Sequence, residues 1–148
     1  MLQWLQNLTN RLITAESPAS PFPEIRSTTD FDQLLSHETP IILFKHSPTC
    51  PVSLAAHREM QAFAATRPDV PVVVLSVLNH RTLSRVIAEQ VSVPHESPQA
   101  IVFQHGIVLG YLSHDDVTVE ELTSLLPSFT AASHDAPVHA NSVRSPQP

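Results

Sequence analysis

Val72-Val73-Val74-Leu75-Ser76-Val77 is the segment that most narrows the folds open to this chain. A short apolar run rich in β-branched residues reads as a strand covered on both faces, and such a strand implies a parallel partner with helices on either side. The flanking sequence agrees. Pro40 opens a second apolar stretch from Ile41 to about His46, and Val52, Ala56, Met60 and Phe63 trace one face of a helix that stops before Pro68. A strand, a helix and a parallel strand in that order form a βαβ unit.

The remaining periodicities extend this unit. Residues 29–36 read as a short helix turning Phe31, Leu34 and Leu35 to the core. After Asn79, the expected N-cap, Leu83, Val86, Ile87 and Gln90 mark another helix, and Pro94 lies beyond its end. Ala100 to Phe103 and Ile107 to Tyr111 bracket His105-Gly106 as a tight antiparallel hairpin. Thr118 and Glu121 have capping-box spacing ahead of a last helix with Leu122, Leu125 and Leu126. A βαβ unit, a linking helix and a ββα unit give the order of an α/β, thioredoxin-like fold: a four-stranded mixed sheet flanked by helices. Other α/β folds share that order. With 148 residues and 42% apolar content, the chain suits one domain, placed at residues 29–128.

The two ends differ in composition. Met1, Leu5, Leu8 and Leu12 fall at helical spacing within residues 1–14, beside Trp4 and Ile13. Gln3, Gln6, Asn7 and Asn10 interrupt any apolar leader, and a polar face with Arg11 alone speaks against membrane contact. Docking on the domain or on a partner is the expectation. Pro18, Pro21 and Pro23 then mark a linker, so residues 1–28 read as an amphipathic helix plus a Pro/Ser-rich connection. Residues 129–148, with Ser133, Pro137, Asn141, Ser142, Pro146 and Pro148, read as a disordered tail. His134 and His139 within it read as solvating residues, and no metal site is expected. The formal charge of −6 is spread without a basic stripe, so no nucleic-acid partner is expected.

Cys50, the only cysteine, sits where the first strand ends and a helix begins. A thiol at a helix start meets unpaired N–H groups and the positive end of the macrodipole, and both favour the thiolate. Pro51 suits the first helical position, and Pro48 and Pro51 together constrain the loop. A single cysteine cannot close an internal disulfide, so a redox cycle would run through a mixed disulfide with another molecule. Free thiols persist in reducing compartments, which makes the cytoplasm the default location. Ser53, one turn on, has two readings: a donor to the Cys50 thiolate, or a first-turn serine satisfying a backbone N–H. Thr49 divides the same way, between a ligand donor and a loop residue. Alternation sends Lys45 and His46 to opposite faces of the strand end, where either adds positive potential beside the thiol or is simply solvated.

Three segments carry a family resemblance. Phe44-Lys45-His46-Ser47-Pro48-Thr49-Cys50-Pro51-Val52-Ser53, His95-Glu96-Ser97-Pro98-Gln99 and Ser113-His114 resemble, in order and spacing, the signature segments of the monothiol bacilliredoxin family. Arg81-Thr82-Leu83-Ser84 resembles a weaker fourth. The chain departs from that pattern at Gly110-Tyr111, where the family usually bears a tryptophan, and in its long ends. The resemblance implies a thioredoxin fold and a thiol–disulfide oxidoreductase that removes bacillithiol from protein mixed disulfides. In that reading Cys50 is the nucleophile, and Ser53 and Thr49 stabilise its thiolate. Ser97, Pro98, Lys45, His46, His95, Gln99 and His114 shape the substrate groove, with the Ser97-Pro98 bond cis. The partners implied are bacillithiolated proteins and a reductant, either bacillithiol itself or a dithiol. Bacillithiol acts as a co-substrate, and no tightly bound cofactor is expected. Two alternatives stay open: a glutaredoxin-like carrier of an iron–sulfur cluster, and a non-catalytic adaptor.

Overall fold

The computed structural model describes Gln3 and residues 20–128 of the chain. In order its elements are α1 (Thr28–Leu35), β1 (Ile41–His46), α2 (Pro51–Thr66), β2 (Val72–Ser76), α3 (Arg81–Val91), β3 (Gln99–Gln104), β4 (Ile107–Ser113), a 3-10 turn (His114–Asp116) and α4 (Val119–Ser124). One mixed sheet runs β2-β1-β3-β4, with β1 parallel to β2 and antiparallel to β3, and β3 antiparallel to β4. The parallel partner that the valine run requires is therefore β1, itself buried along its whole length.

Two apolar layers sandwich the sheet. Ile42, Phe44, Val72, Val74, Ala100 and Val102 pack with Ala56, Met60 and Phe63 of α2 and with Leu122 of α4. Ile41, Leu43, Val73, Leu75, Ile101 and Phe103 pack with Phe31 and Leu34 of α1 and with Leu83 and Ile87 of α3. Full burial of such side chains contributes about 1.5–3 kcal/mol each, before chain entropy is counted. Strand alternation thus sorts β1 residues between the layers, which decides what surrounds Lys45 and His46 at its end.

Local chemistry sets the element boundaries and corrects several expectations. Ser27 and Asp30 close a reciprocal capping box on α1. Asn79 is not the N-cap of α3: its N–H bonds Ser76 Oγ in the preceding turn, and the helix starts one residue later behind His80, with no side-chain cap. The buried stripe of α3 is consequently Leu83, Ser84 and Ile87, with Val86 exposed. On α2 the stripe is Ser53, Ala56, His57, Met60 and Phe63, and Val52 faces outward. At α4 only half of the expected box forms, Thr118 accepting the Glu121 N–H. His105 and Gly106 both have positive φ, as a two-residue type I′ hairpin turn demands.

The proline-rich connection is more structured than its composition suggests. Ile25 is fully buried among the α1/α3-side core residues, and Glu24 forms a parallel bridge with Val74 at the outer edge of β2. The Ile25 N–H donates to the Val74 carbonyl at 2.9 Å, and the Val74 N–H donates to the Pro23 carbonyl at 2.7 Å. A proline lacks the donor but keeps the acceptor, so Pro23 serves a ladder that needs only its C=O. The amphipathic pattern of residues 1–14, Gln3 apart, and the tail of residues 129–148 lie outside the described residues. Among those described, no helix is long and apolar enough to cross a membrane, and no group of metal-ligating side chains comes together.

Candidate thiol site

Residues 47–50 form the turn that presents the thiol. The Cys50 N–H donates to the Ser47 carbonyl at 3.1 Å, which closes a β-turn whose second position is Pro48. Cys50 is the N-cap of α2, extended at φ −97° and ψ 123°, and its carbonyl accepts the Leu54 N–H at 3.0 Å. Pro51 follows at the first helical position, as its preset φ allows. The cysteine is half-buried and makes no capping bond of its own, so the sulfur stands at an open helix N-terminus with exposed Val52 and Leu54 nearby on the same helix. Thr49 is exposed, its Oγ1 3.5 Å from Ser47 Oγ.

Ser53 is completely buried and its hydroxyl is engaged away from the thiol. Its Oγ accepts the Ser47 N–H at 2.9 Å and lies 2.9 Å from His46 Nδ1, with no bond to Cys50. The hydroxyl therefore ties the turn to the first turn of α2. His46 itself is buried, stacked on Phe44 with ring centroids 5.4 Å apart and set 4.8 Å from the His57 ring. Burial, then the neighbouring His57, push its pKa down to about 4, against which the Ser53 bond acts weakly. Burial lowers His57 as well, so both rings of the pair disfavour the charged form. His57 Nε2 bonds Ser20 Oγ at 3.0 Å, joining the arm that precedes α1 to the helix that carries the thiol. Ser47, His57 and Ser20 were not singled out from sequence; for His57 the signal was its position four residues after Ser53 on one helix face.

Lys45 lies on the other face and is wholly buried, so neither strand-end residue is the solvated group that sequence allowed. Its register partners are Leu75 on β2 and Gln99 on β3. Lys45 Nζ is 3.3 Å from His95 Nδ1, and Ser84 Oγ is 3.0 Å from the same nitrogen. Desolvation pushes the amine down to about 8. His95 opens the loop of residues 95–98, and the Ser97-Pro98 bond is cis, as the resemblance implied. Pairing of Lys45 with Gln99 sets Pro98 beside the end of β1 that leads into the Cys50 turn. Gln99 Nε2 donates to the Pro94 carbonyl at 2.9 Å and to Ser113 Oγ at 3.2 Å, and the His114 N–H donates to the Pro98 carbonyl at 2.9 Å. The His114 ring reaches only to 3.9 Å from Glu96. Ser97 Oγ and Gln99 Oε1 are buried and find no hydrogen-bond partner among the described residues.

A β-turn that delivers a half-buried cysteine to a helix N-terminus, with a cis proline on the antiparallel neighbour, defines a thioredoxin-fold thiol oxidoreductase reduced to one cysteine. Residues 23–122 match the family described as monothiol bacilliredoxin BrxC. The chain belongs to the monothiol bacilliredoxin family. Among solved structures, it is similar to a thioredoxin-fold protein whose oxidoreductase assignment is itself provisional, at 33% identity and TM-score 0.65, covering 69% of this chain and 90% of that one. Thioredoxin from Trypanosoma brucei brucei shares 18% identity at TM-score 0.59, over 76% of this chain and 95% of its own. A mutant thioredoxin from Halobacterium salinarum shares 18% identity at TM-score 0.59, over 78% and 96%. The two thioredoxins support the fold alone.

Proposed function

We propose that the protein removes bacillithiol from mixed disulfides on oxidised proteins through Cys50. The observation that carries this reading is the sole cysteine at the N-cap of α2, half-exposed and next to the cis-proline loop, in a chain of the monothiol bacilliredoxin family. The Cys50 thiolate attacks the bacillithiol sulfur; the new S–S bond joins Cys50 to bacillithiol, and the old one breaks to release the protein thiolate, which takes a proton. A second thiol, bacillithiol or a dithiol partner, then attacks the adduct and restores Cys50. With no other cysteine in the chain, an internal disulfide has no part in the cycle. The backbone at Ser97 pairs with an extended segment of the substrate, while exposed His95 and His114 shape that side of the groove and the fully buried Gln99 supports it from within. A lone free thiol fits a reducing compartment, and the cytoplasm is the proposed location.

Intact-mass spectrometry after mixing the reduced protein with a bacillithiolated test protein checks this. The expected result is a bacillithiol adduct on Cys50 with release of the test protein's thiol, and none for Cys50→Ser. A glutathionylated protein run alongside reports thiol preference. Transfer by Cys50→Ser, or no adduct on an accessible wild-type thiol, refutes the proposal.

A further inference from the structure

Lys45 is the only lysine in the chain; every other fixed cation is an arginine. That one lysine is fully buried at the end of the central strand. Desolvating an ammonium is costly, and replacing such a group by an apolar one is often neutral or stabilising, so its presence calls for a partner that uses the charge. Its hydrogen-bond partner is a ring nitrogen, His95 Nδ1, rather than a carboxylate, and since an ammonium can only donate, that nitrogen must accept. The charged groups acting on His95 are Lys45 itself, Arg85 of α3 and Glu96 of the loop. Burial first, then Lys45 and Arg85, lower the affinity of His95 for a proton, which keeps Nδ1 available as an acceptor.

The loop that His95 opens is held from its inner side. Pro94 is tied by Gln99, Pro98 by the His114 N–H, and His95 by Lys45 and the buried Ser84. His95 also borders a cleft of about 360 Å³ lined by Arg85 and Glu89, while its ring nitrogen Nδ1 is held by buried Lys45 and Ser84. Among the described residues, Ser97, between the tied positions, makes no backbone hydrogen bond. We propose that Lys45 is a positioning residue: its buried ammonium clamps His95 and thereby holds the loop so that the Ser97 backbone is presented to the substrate. The consequence for substrate binding rests on the thiol-exchange reading above, whereas the clamp itself does not.

Two variants test it, Lys45→Met, which keeps the volume and removes the charge, and Ser84→Ala, which removes the second holder of the ring without touching the buried amine. Amide hydrogen exchange of His114, whose N–H donates to the Pro98 carbonyl of the loop, is measured with the rate of Cys50 alkylation by iodoacetamide, and with KM and kcat for a bacillithiolated test protein. In Lys45→Met, protection of the His114 amide is expected to fall roughly tenfold and KM to rise by a similar factor, from loss of one charge-assisted hydrogen bond. The alkylation rate is expected to stay within twofold. Ser84→Ala is expected to shift protection the same way by a smaller factor. Unchanged protection in both variants overturns the clamp, and so does a tenfold slower alkylation of Lys45→Met, which would place Lys45 on the thiol itself. If the wild-type protein transfers no bacillithiol, the proposed function falls while amide protection still decides the clamp.

Discussion

Replacing Ser53 by alanine separates two roles for the hydroxyl one turn beyond the thiol. If it served the Cys50 thiolate, its loss would slow thiol chemistry and leave the fold intact. The structure predicts the reverse. Ser53 Oγ accepts the Ser47 N–H and bonds His46 Nδ1, both at 2.9 Å and both in a fully buried setting. Ser53→Ala leaves a backbone donor and an imidazole nitrogen without partners, and each orphaned buried group costs about 1–3 kcal/mol. Some relaxation lowers the sum, so a loss of about 2–4 kcal/mol is expected, against under about 0.5 kcal/mol for an ordinary surface serine. Urea unfolding followed by far-UV circular dichroism reads this as a midpoint lowered by about 1–2 M, given a slope of about 2 kcal/mol per M. His46→Phe preserves the stack on Phe44, 5.4 Å between centroids, and removes the polar partner. Combined with Ser53→Ala it is expected to show a coupling energy of about 1 kcal/mol or more. A stability loss below about 0.5 kcal/mol together with a tenfold slower alkylation of Cys50 would refute the bracing argument and restore the thiolate-stabilising one.

Two further outcomes follow from buried groups. The unfolded chain protonates His46 near its ordinary 6.5, whereas the folded protein does so only at about 4, so the unfolded state binds more protons across that window. Stability is therefore expected to fall as pH drops from 6.5 towards 4, with a shallower fall in His46→Phe; equal slopes in urea midpoints across that range would contradict the assignment. Ile25→Ala is expected to cost about 2–5 kcal/mol, because the side chain is a fully buried core residue. A chain beginning at Thr29 should lose at least as much, and thermal unfolding at the wild-type midpoint would count against that packing.

The sheet and its helices were legible because their signals are collective. The valine run, the strand from Ile41 to His46 and the hairpin around His105-Gly106 each rest on several residues that agree, and the structure places all of them. The errors fall where one hydrogen bond decides. Asn79 has the chemistry of an N-cap, but its backbone is already held in the turn by Ser76, so the helix begins after His80 and its buried stripe includes Ser84. Pro23 reads as a break because prolines lack a donor, yet the edge of β2 needed an acceptor. The same distinction governs the candidate site. Cys50, Pro51 and the cis Pro98 are fixed by local chain geometry and family spacing, and they stand where sequence put them. The roles of Lys45, His46 and Ser53 depend on what lies across the sheet. Alternation sent Lys45 and His46 to opposite faces, but only the packed fold shows that one face supplies Ser53 and His57 while the other supplies Ser84 and His95. Side chains read as possible surface charges are thus buried groups bonded to two separate structures, the thiol turn and the cis-proline loop.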